Sequence, residues 1–449
     1  MTDAAPRLAA VAETLLGTPL PVRIRAWDGS EAGPPGAPLL AVHDRRALRR
    51  LLWKPGELGL ARAWVAGELS AEGDLYAVLE RVAGLLWERG PLPGAPDPAD
   101  GAGAAADPGR EPAAAGALLR DPERRAAVRE LIALAGPLPP PRPPAEEVPR
   151  RSGARHTRVR DRQAVSHHYD VGNDFYERVL GPSMVYSCAY WSTGATLEEA
   201  QRDKLALVCG KLALRPGLRL LDVGCGWGSM AVHAAREHGV RVTGVTLSRE
   251  QAAYARKRVA DEGLTDLVEI RVQDYRDVRD GPYDAVSSIG MAEHVGAERY
   301  RDYARTLYAL LRPGGLLLNH QIARRPAPDE EAYRIDRFID AYVFPDGELS
   351  PLGSTVGELE RAGFEVRDVE ALREHYGLTL RAWVARLQEH WDEAVRLTSP
   401  GRARVWLLYM AASALGFERG RLGVNQVLAV KPAAGGAAGL PLRLRTWNG

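Results

Sequence analysis

The pattern of apolar and polar residues changes character at about residue 160. From there to about residue 325, short β-branched or leucine-rich runs alternate with stretches that have apolar residues at helical spacing. Strands joined in order by helices predict a doubly wound, mainly parallel α/β sheet that binds ligands at the carboxyl ends of its strands. The predicted parallel strands, followed by a last antiparallel strand, are Arg219–Val223, Arg241–Thr246, Val268–Gln273, Tyr283–Ile289, Gly315–His320 and finally Val424–Val430.

Residues 1–90 have a different pattern, which predicts a smaller α+β domain. Pro21–Gly29 alternates as a strand does and ends in an Asp-Gly turn. A helical stretch after it combines leucines and Trp53 with four arginines, and it either lies on an anionic lipid surface or is an ordinary amphipathic helix. Residues 91–158 are rich in Ala, Gly and Pro and are predicted to be a linker with one helix. The α/β domain then covers residues 159–432, and residues 433–449 are a tail.

A glycine-rich turn, Asp222–Gly228, follows the first strand of the α/β domain. Gly224, Gly226 and Gly228 let the backbone approach a ligand at the N-terminus of the next helix, where free N–H groups point outward. The spacing G-x-G-x-G differs from the G-x-G-x-x-G of dinucleotide sites, and the second strand ends in Thr246 rather than in an acid. Asp222, directly before the glycines, suits a ligand with a positive group. These features favour S-adenosylmethionine (SAM) over a dinucleotide.

Polar residues also follow the second and third strands. Thr246 and Gln251 are placed to bond ribose hydroxyls, although Ser248 and Gln251 also have the spacing of a helix capping box. The residues after the third strand suit the edge and face of an adenine, or else form a solvent-exposed turn: Gln273, Asp274 and Tyr275.

Two further residues are candidates for the chemistry. Glu293 follows the fourth strand, where a buried carboxyl group has a raised pKa or a charged partner. Cys188 lies among the aromatic residues of Met184–Trp191. A cysteine in such surroundings is by default a core residue, although aromatic ring faces also suit a sulfonium.

Composition narrows the function classes. The net charge is +1, which argues against a nucleic-acid partner. The three cysteines are widely spaced and include no C-x-x-C pair, so neither a disulfide framework nor a metal site is expected. No apolar run approaches the roughly 18 residues needed to span a bilayer, and the N-terminus has no signal-peptide pattern. The sequence predicts a cytoplasmic protein that meets a membrane, if at all, from its inner face.

Several phrases, in their order along residues 160–430, closely resemble the cyclopropane-fatty-acyl-phospholipid synthase family, which includes the mycolic acid cyclopropane synthases. This resemblance implies SAM-dependent methyl transfer to the cis double bond of an unsaturated acyl chain in a membrane phospholipid. The phrases are HHYDVGNDFY, YSCAYW, LLDVGCGWG, VTLSREQ, QDYRD and GMAEHVG.

The resemblance also implies which residues form the site. A bound bicarbonate, acting as the general base, would be held by Cys188, Glu293, His320 and Tyr409 and by the backbone of Ile322. The SAM site would be lined by residues that include some of those named above: Tyr186, Ser187, Gly224, Gly226, Thr246, Leu247, Gln251, Gln273 and Ile289.

The product depends on which proton leaves the carbocation formed by methyl transfer. Loss from the added methyl closes a cyclopropane ring, whereas loss from the chain gives a methyl or methylene branch that a separate reductase would saturate. N-terminal stretches such as WDGSEAGP resemble a branch of the family linked to tuberculostearic acid. This resemblance, together with Ala292, where the family usually has an aromatic residue, favours a 10-methyl(ene)-branched, tuberculostearic-type chain made from oleoyl. Asn319, in place of an apolar residue, is a second departure expected to bear on the product.

Other functions remain open at this point. Cyclopropane synthesis is the first alternative. A small-molecule methyltransferase on the same fold and a catalytically inactive module that keeps the SAM turn are two others, although Glu293 and Cys188 are both present. The resemblance is compatible with a homodimer.

Overall fold

The structure is a computed structural model that describes residues 3–87, 121–149, 155–158, 160–161, 171–327, 330, 333 and 335–444. The stretch 91–116, predicted to be a linker, lies outside the described residues, as do His167 and His168 of the HHYDVGNDFY phrase. The chain divides into two compact units. The first comprises Met1–Arg150, Ala327–Pro345 and Ser399–Leu415, and the second comprises Arg151–Pro326, Asp346–Thr398 and Gly416–Gly449.

Helices occur in both units. In chain order, the α-helices of the described residues are α1 (Ala4–Leu16), α2 (Arg46–Trp53), α3 (Glu57–Val65), α4 (Leu75–Trp87), α5 (Pro122–Ala135), α6 (Asn173–Leu180), α7 (Leu197–Lys211), α8 (Ser229–His238), α9 (Arg249–Asp261), α10 (Tyr300–Leu310), α11 (Arg337–Tyr342), α12 (Leu352–Arg361), α13 (Arg373–Glu389), α14 (Trp391–Leu397) and α15 (Pro400–Glu418).

The strands form one sheet in each unit. They are β1 (Arg23–Arg25), β2 (Glu31–Ala32), β3 (Leu39–Val42), β4 (Leu69–Glu72), β5 (Arg219–Val223), β6 (Arg241–Thr246), β7 (Val268–Val272), β8 (Tyr283–Ile289), β9 (Leu311–Arg324), β10 (Ser350–Pro351), β11 (Glu365–Ala371) and β12 (Leu422–Val430).

The sheet of the second unit has the strand order β11-β12-β9-β8-β5-β6-β7, with the short β10 pairing to β9. Strands β5 to β9 run parallel to one another, and β12 is antiparallel to both β9 and β11. The predicted doubly wound, mainly parallel α/β fold with a last antiparallel strand is confirmed. Strand β11 was not predicted, because it lies at the sheet edge, is mostly half-buried and carries four charged residues among its seven.

The central strand β5 shows why the parallel sheet is stable. Leu220 and Leu221 are both fully buried, yet they belong to different hydrophobic clusters on the two faces of the sheet. A strand buried on both sides reads as a continuous apolar run rather than as an alternation. Burying each leucine contributes about 1.5–3 kcal/mol. The carboxyl end of β5, where the glycine turn begins, is therefore firmly held.

The first unit contains a four-stranded sheet in the order β2-β1-β3-β4. It also includes later segments of the chain that the sequence placed in the catalytic domain. The backbone N–H of Val148 donates to the carbonyl of Ala341 at 2.8 Å, and Tyr342 donates its hydroxyl to Glu147 at 2.8 Å. These bonds join residues almost two hundred positions apart, which no local pattern reveals.

The arginine-rich helix α2 combines a buried and an exposed face. Arg50 is buried and forms a bidentate ion pair with Glu68, at 2.7 and 3.0 Å. Trp53, in contrast, is 64% exposed. One of the four arginines is thus part of the core of this unit, and the others remain candidates for contact with a surface.

Candidate active site

A cavity lies at the carboxyl ends of β5 to β8 in the second unit, with about 1190 Å³ of empty space including the part that opens to solvent. Such a volume is ample for a nucleoside-sized ligand. All but one of the residues predicted for the cofactor line it: Tyr186, Ser187, Asp222, Gly224, Gly226, Thr246, Leu247, Gln251, Gln273, Asp274, Tyr275 and Ile289.

Gly228 is the predicted cofactor residue that does not line the cavity. It precedes the first residue of α8 with φ +81°, and a Cβ added there would meet the Cβ of Ala255 on α9 at 3.0 Å. Glycine is needed at this position for the left-handed backbone and for the close approach of two helices. Gly228 thus shapes the turn, and its contact with a cofactor stays a prediction.

The glycine turn is tied to the neighbouring strand. The backbone N–H groups of Gly224 and Cys225 both donate to the carbonyl of Val245 at the end of β6, at 2.9 and 3.0 Å. Gly224 and Gly226 have φ values of +76° and +54°, which residues with a side chain rarely adopt. Two hydrogen bonds therefore hold the turn in place, and its glycines expose backbone atoms to the cavity.

Asp222 is the charged group at the base of this turn. It is 2% exposed, its Oδ1 accepts a hydrogen bond from Ser287 Oγ at 2.7 Å, and its Oδ2 has no partner among the described residues. Burial raises the pKa of Asp222 to about 6. A positively charged ligand group would satisfy Oδ2 and favour the ionised carboxylate, so this residue fits the amino or sulfonium group of SAM.

The residues after β6 form only half of a capping box. Ser248 Oγ accepts from the backbone N–H of Gln251 at 3.2 Å, as a helix N-cap does. The side chain of Gln251 does not return to Ser248 but accepts a hydrogen bond from Thr246 Oγ1 at 2.9 Å. The capping box is therefore present only in part. Thr246 and Gln251 form a polar pair on the cavity wall, and their contact with ribose hydroxyls stays a prediction.

The carboxylate of Asp274, after β7, is already paired. Arg276 donates to it from Nε and Nη2, at 2.8 and 2.6 Å, and Asp274 also caps a short 3₁₀ helix, Tyr275–Asp277. The Nε2 of Gln273 donates to the carbonyl of Asp277 at 2.9 Å. The segment expected beside an adenine, Gln273–Tyr275, thus lines the cavity as a turn that is held by side-chain hydrogen bonds.

Lys204 lines the same cavity, and the sequence analysis missed it. It is 1% exposed, and its Nζ donates to Ser187 Oγ at 3.0 Å. Burial lowers the pKa of Lys204 to about 8, against the opposing effects of Cys188 and Asp222. One signal was present in the sequence: Gln201 and Lys204 interrupt the apolar face of α7 at helical spacing, and buried polar side chains are rare without a function.

Glu293 lies just beyond β8 and contacts β9. The backbone N–H of Ile322 donates to Glu293 Oε1 at 2.7 Å, while the buried Oε2 has no partner within the described part of the chain. Burial raises the pKa of Glu293 to about 7, although the bond from Ile322 acts in the other direction. The structure thus brings together two of the predicted catalytic residues around a carboxyl group that is half protonated near neutral pH.

His320 lies two residues before Ile322 on the same strand. It is 2% exposed, and its Nδ1 lies 3.2 Å from the side-chain nitrogen of Gln426 on β12. Lys211 donates to the oxygen of the same amide at 2.8 Å, which orients the nitrogen of Gln426 toward His320. We therefore assign the hydrogen of this imidazole to Nε2, which has no partner among the described residues. Burial lowers the pKa of His320 to about 3, so the ring is neutral.

Cys188 is linked to strand β9 through two intermediate residues, Leu372 and Val424. Its thiol donates to the carbonyls of Ala189 and Leu372, at 3.2 and 3.6 Å. Leu372 in turn donates its N–H to Val424 at 2.8 Å, and Val424 pairs with Ile322 across β9 and β12. Burial raises the pKa of Cys188 well above its ordinary range, so the group is a thiol and a hydrogen-bond donor.

Tyr409 belongs to the first unit, unlike the other predicted catalytic residues. It lies on α15, is 7% exposed and packs edge-on against Phe344 and Trp406 of the same unit. Within that unit it is part of an aromatic cluster. Its role at the bicarbonate site remains a prediction.

Neither of the two departures from the family pattern lines the SAM cavity. Asn319 accepts a hydrogen bond from Tyr303 Oη at 3.0 Å and donates to Gln321 Oε1 at 2.7 Å. Because side chains alternate along a strand, Asn319 faces α10, on the opposite side of β9 from His320. Asn319 therefore belongs to a buried polar network, and its bearing on the product stays a prediction. Ala292 is 5% exposed and packs in the hydrophobic core rather than on the cavity wall.

Comparisons with known proteins agree with this geometry. The sequence model of the mycolic acid cyclopropane synthetase family matches residues 156–427. The chain is 45% identical over 433 residues to a probable fatty acid methyltransferase of Mycobacterium tuberculosis, covering 94% of each chain. It is 39% identical over 261 residues to the cyclopropane-fatty-acyl-phospholipid synthase of Escherichia coli K12, which covers 58% of this chain and 66% of that one.

Solved structures give the same result. The mycolic acid cyclopropane synthase CmaA1, in complex with S-adenosylhomocysteine (SAH) and CTAB, superposes with a TM-score of 0.57 at 34% identity, covering 60% of this chain and 98% of that one. The cyclopropane synthase MmaA2 of Mycobacterium tuberculosis gives a TM-score of 0.57 at 32% identity, with 62% and 99% of the chains covered. The chain therefore belongs to the mycolic acid cyclopropane synthetase family and is a SAM-dependent methyltransferase.

Proposed function

We propose that this protein transfers a methyl group from SAM to the cis double bond of an unsaturated acyl chain in a membrane phospholipid. The proposal rests on one observation. The second unit contains the SAM cavity and also three buried groups that can accept or donate a proton. Those groups are the carboxyl of Glu293, the neutral imidazole of His320 and the thiol of Cys188. The names of the relatives, a fatty acid methyltransferase and a fatty-acyl-phospholipid synthase, point to the same substrate class.

The chain's own residues define what the site contributes. SAM supplies an electrophilic methyl group, and an alkene is a weak nucleophile, so the two must be aligned with water excluded. Asp222 attracts the positive part of the cofactor, and Lys204, bonded to Ser187, also lines the cavity. After transfer, the acyl chain carries a positive charge and must lose a proton. Glu293, whose pKa is about 7, is matched to accept or relay that proton.

Bicarbonate as the bound base is part of this proposal. A small oxyanion needs hydrogen-bond donors. The Nε2–H of His320 has no partner among the described residues, whereas the thiol of Cys188 would have to leave the carbonyls of Ala189 and Leu372 to reach an anion. Glu293 donates as well in its protonated form. The N–H of Ile322 is occupied by Glu293, so an anion would have to share that donor or displace the carboxyl group. The donor set fits an anion better than a cation.

We further propose that the substrate is reached at an anionic lipid surface through α2. None of the described helices combines the length and the apolar character needed to cross a bilayer. The exposed Trp53 lies one turn or more from Arg46 and Arg49 on this helix, and Arg46 has 54% of its side chain exposed. A tryptophan beside arginines favours the boundary between lipid headgroups and acyl chains. Contact with the inner face of the cell membrane would follow.

The favoured product is a 10-methyl(ene)-branched chain made from oleoyl, which a separate reductase would saturate. The relative covering 94% of this chain is named a fatty acid methyltransferase, not a cyclopropane synthase, and this supports the branch over the ring. Cyclopropane synthesis is the alternative, supported by the name of the Escherichia coli relative. The two outcomes differ only in which carbon loses its proton.

The test is incubation of the protein with methyl-labelled SAM and vesicles of dioleoyl phospholipid, followed by mass and NMR analysis of the lipid. We expect labelled lipid with methylene or methyl-branch signals. Upfield cyclopropane protons would establish the alternative product. Label that enters only water-soluble acceptors, with none in lipid, would refute the proposal.

A further inference from the structure

A second group of chemically reactive side chains lies behind the SAM cavity, between α7 and α8. Cys209 is on α7, and His233 and His238 are on α8. One ligand atom from each of the three lies within 4.8 Å of the others. Cys209 and His233 are 0% and 5% exposed. None of the three lines the SAM cavity.

We propose that Cys209, His233 and His238 form a binding site for a divalent cation of the zinc class. A thiolate and two imidazoles are the nitrogen and sulfur ligands that zinc prefers, and a site with three protein ligands leaves a fourth position for water. The spacing His233-x₄-His238 also falls within the range usual for paired histidine ligands of zinc.

The unpartnered nitrogen of His233 is an independent observation that points to a ligand. His233 Nε2 is buried and accepts or donates no hydrogen bond among the described residues. Leaving a buried polar atom unsatisfied costs about 1–3 kcal/mol. A neutral imidazole nitrogen has a lone pair that a cation can bind. A cation on that lone pair would remove the penalty.

Binding of the cation changes the ionisation of Cys209. A metal–sulfur bond forms and the thiol proton is released to solvent, one proton for each cation.

The site would join the two helices that support the cofactor cavity. Helix α7 carries Lys204, and α8 begins directly after Gly228 at the end of the glycine turn. A cation bound only by the folded protein raises its stability by mass action. The expected consequence is a metal-dependent rise in Tm, without any requirement for the metal in methyl transfer.

The test uses cobalt(II) as a spectroscopic probe. The full-length protein, treated with EDTA and dialysed, is titrated with cobalt chloride. We expect a thiolate-to-cobalt charge-transfer band in the near ultraviolet, visible bands of tetrahedral intensity, saturation at one cobalt per chain and displacement by zinc sulfate. Zinc should also raise Tm. The absence of the charge-transfer band in the wild-type protein would overturn the proposal, whatever the methyltransferase activity.

Matched variants locate the site. Cys209→Ser should lose the charge-transfer band, and His233→Gln should lose the tetrahedral visible bands. Cys225→Ser and His43→Gln, which replace a buried cysteine and an exposed histidine outside the cluster, should keep both. If Cys209→Ser fails to fold, the comparison of His233→Gln with His43→Gln tests the site instead. Zinc should raise the Tm of His43→Gln but not that of His233→Gln. A band lost in Cys225→Ser but kept in Cys209→Ser would refute this assignment.

Discussion

The substitution Glu293→Gln should make the enzyme inactive and, at high pH, more stable. The amide oxygen of glutamine can still accept the N–H of Ile322, so the local contact at 2.7 Å is kept. The amide cannot exchange a proton, and general acid–base groups typically contribute about 10²–10⁴ in rate. We expect turnover to fall by at least about a hundredfold, with SAH binding unchanged, because Glu293 is not among the residues that line the SAM cavity.

The stability effect has a sign fixed by the pKa of Glu293. Folding raises that pKa from 4.5 to about 7, so the folded state holds the proton more tightly than the unfolded state does. The protein therefore loses stability as the pH rises through this range and carries the full penalty above pH 7. At 1.36 kcal/mol for each pKa unit, the penalty amounts to about 3 kcal/mol. Glutamine does not ionise and avoids it.

The assay is urea-induced unfolding of the wild-type protein and of Glu293→Gln at pH 5 and at pH 9. The two proteins should unfold at similar urea concentrations at pH 5, and the variant should be more stable at pH 9. Glu298→Gln is the matched control, because Glu298 is exposed and lies five positions along the same segment. If Glu293→Gln gains no stability at pH 9, or gains the same amount at both pH values, folding does not raise the pKa of the Glu293 carboxyl group.

Three more variants test the rest of the site. Lys204→Met should weaken SAH binding about tenfold, because the loss of the buried ammonium is worth about one charge-assisted hydrogen bond. Calorimetric titration measures the affinity for SAH, and an unchanged affinity would contradict a role of Lys204 in cofactor binding. Gln426→Glu should lower kcat without changing SAH affinity, because a carboxylate would draw the hydrogen of His320 to Nδ1; an unchanged kcat would show that this tautomer is irrelevant. Gly228→Ala should cost about 1–3 kcal/mol of stability. The cost should exceed that of Gly263→Ala, because Gly263 also has a positive φ but an added Cβ there would meet no other atom. Equal losses would mean that backbone strain alone, without the contact with Ala255, explains the effect.

The α/β fold was readable from the sequence because its determinants are local. Strands buried on both faces, such as β5, appear as apolar runs, and the helices between them have apolar residues at helical spacing. The glycine turn after β5 follows from φ values that only glycine adopts easily, so Gly224 and Gly226 were predictable cofactor positions. Strand β11 was not predicted, because an edge strand with four charged residues has neither an apolar run nor a glycine turn to mark it.

The catalytic groups were found differently. Glu293 and Cys188 were candidates from their positions in the sequence, but the resemblance to a family supplied His320 and the joint role of the three residues. The parallel pairing of β8 with β9 places Glu293 beside Ile322, and the antiparallel pairing of β12 with β9 places Gln426 beside His320. Register between strands far apart in the chain depends on the whole sheet, which a local pattern does not contain.

Local patterns in the sequence were therefore enough to predict the fold and the place of the cofactor, and resemblance supplied the family. The protonation states and the hydrogen-bond partners of the site residues became visible only in the folded chain. Lys204 is buried on α7, Asn319 bonds Tyr303, and Gly228 packs closely against Ala255. Secondary structure follows short-range periodicity, whereas a pKa or a hydrogen-bond partner depends on burial among residues distant in the chain.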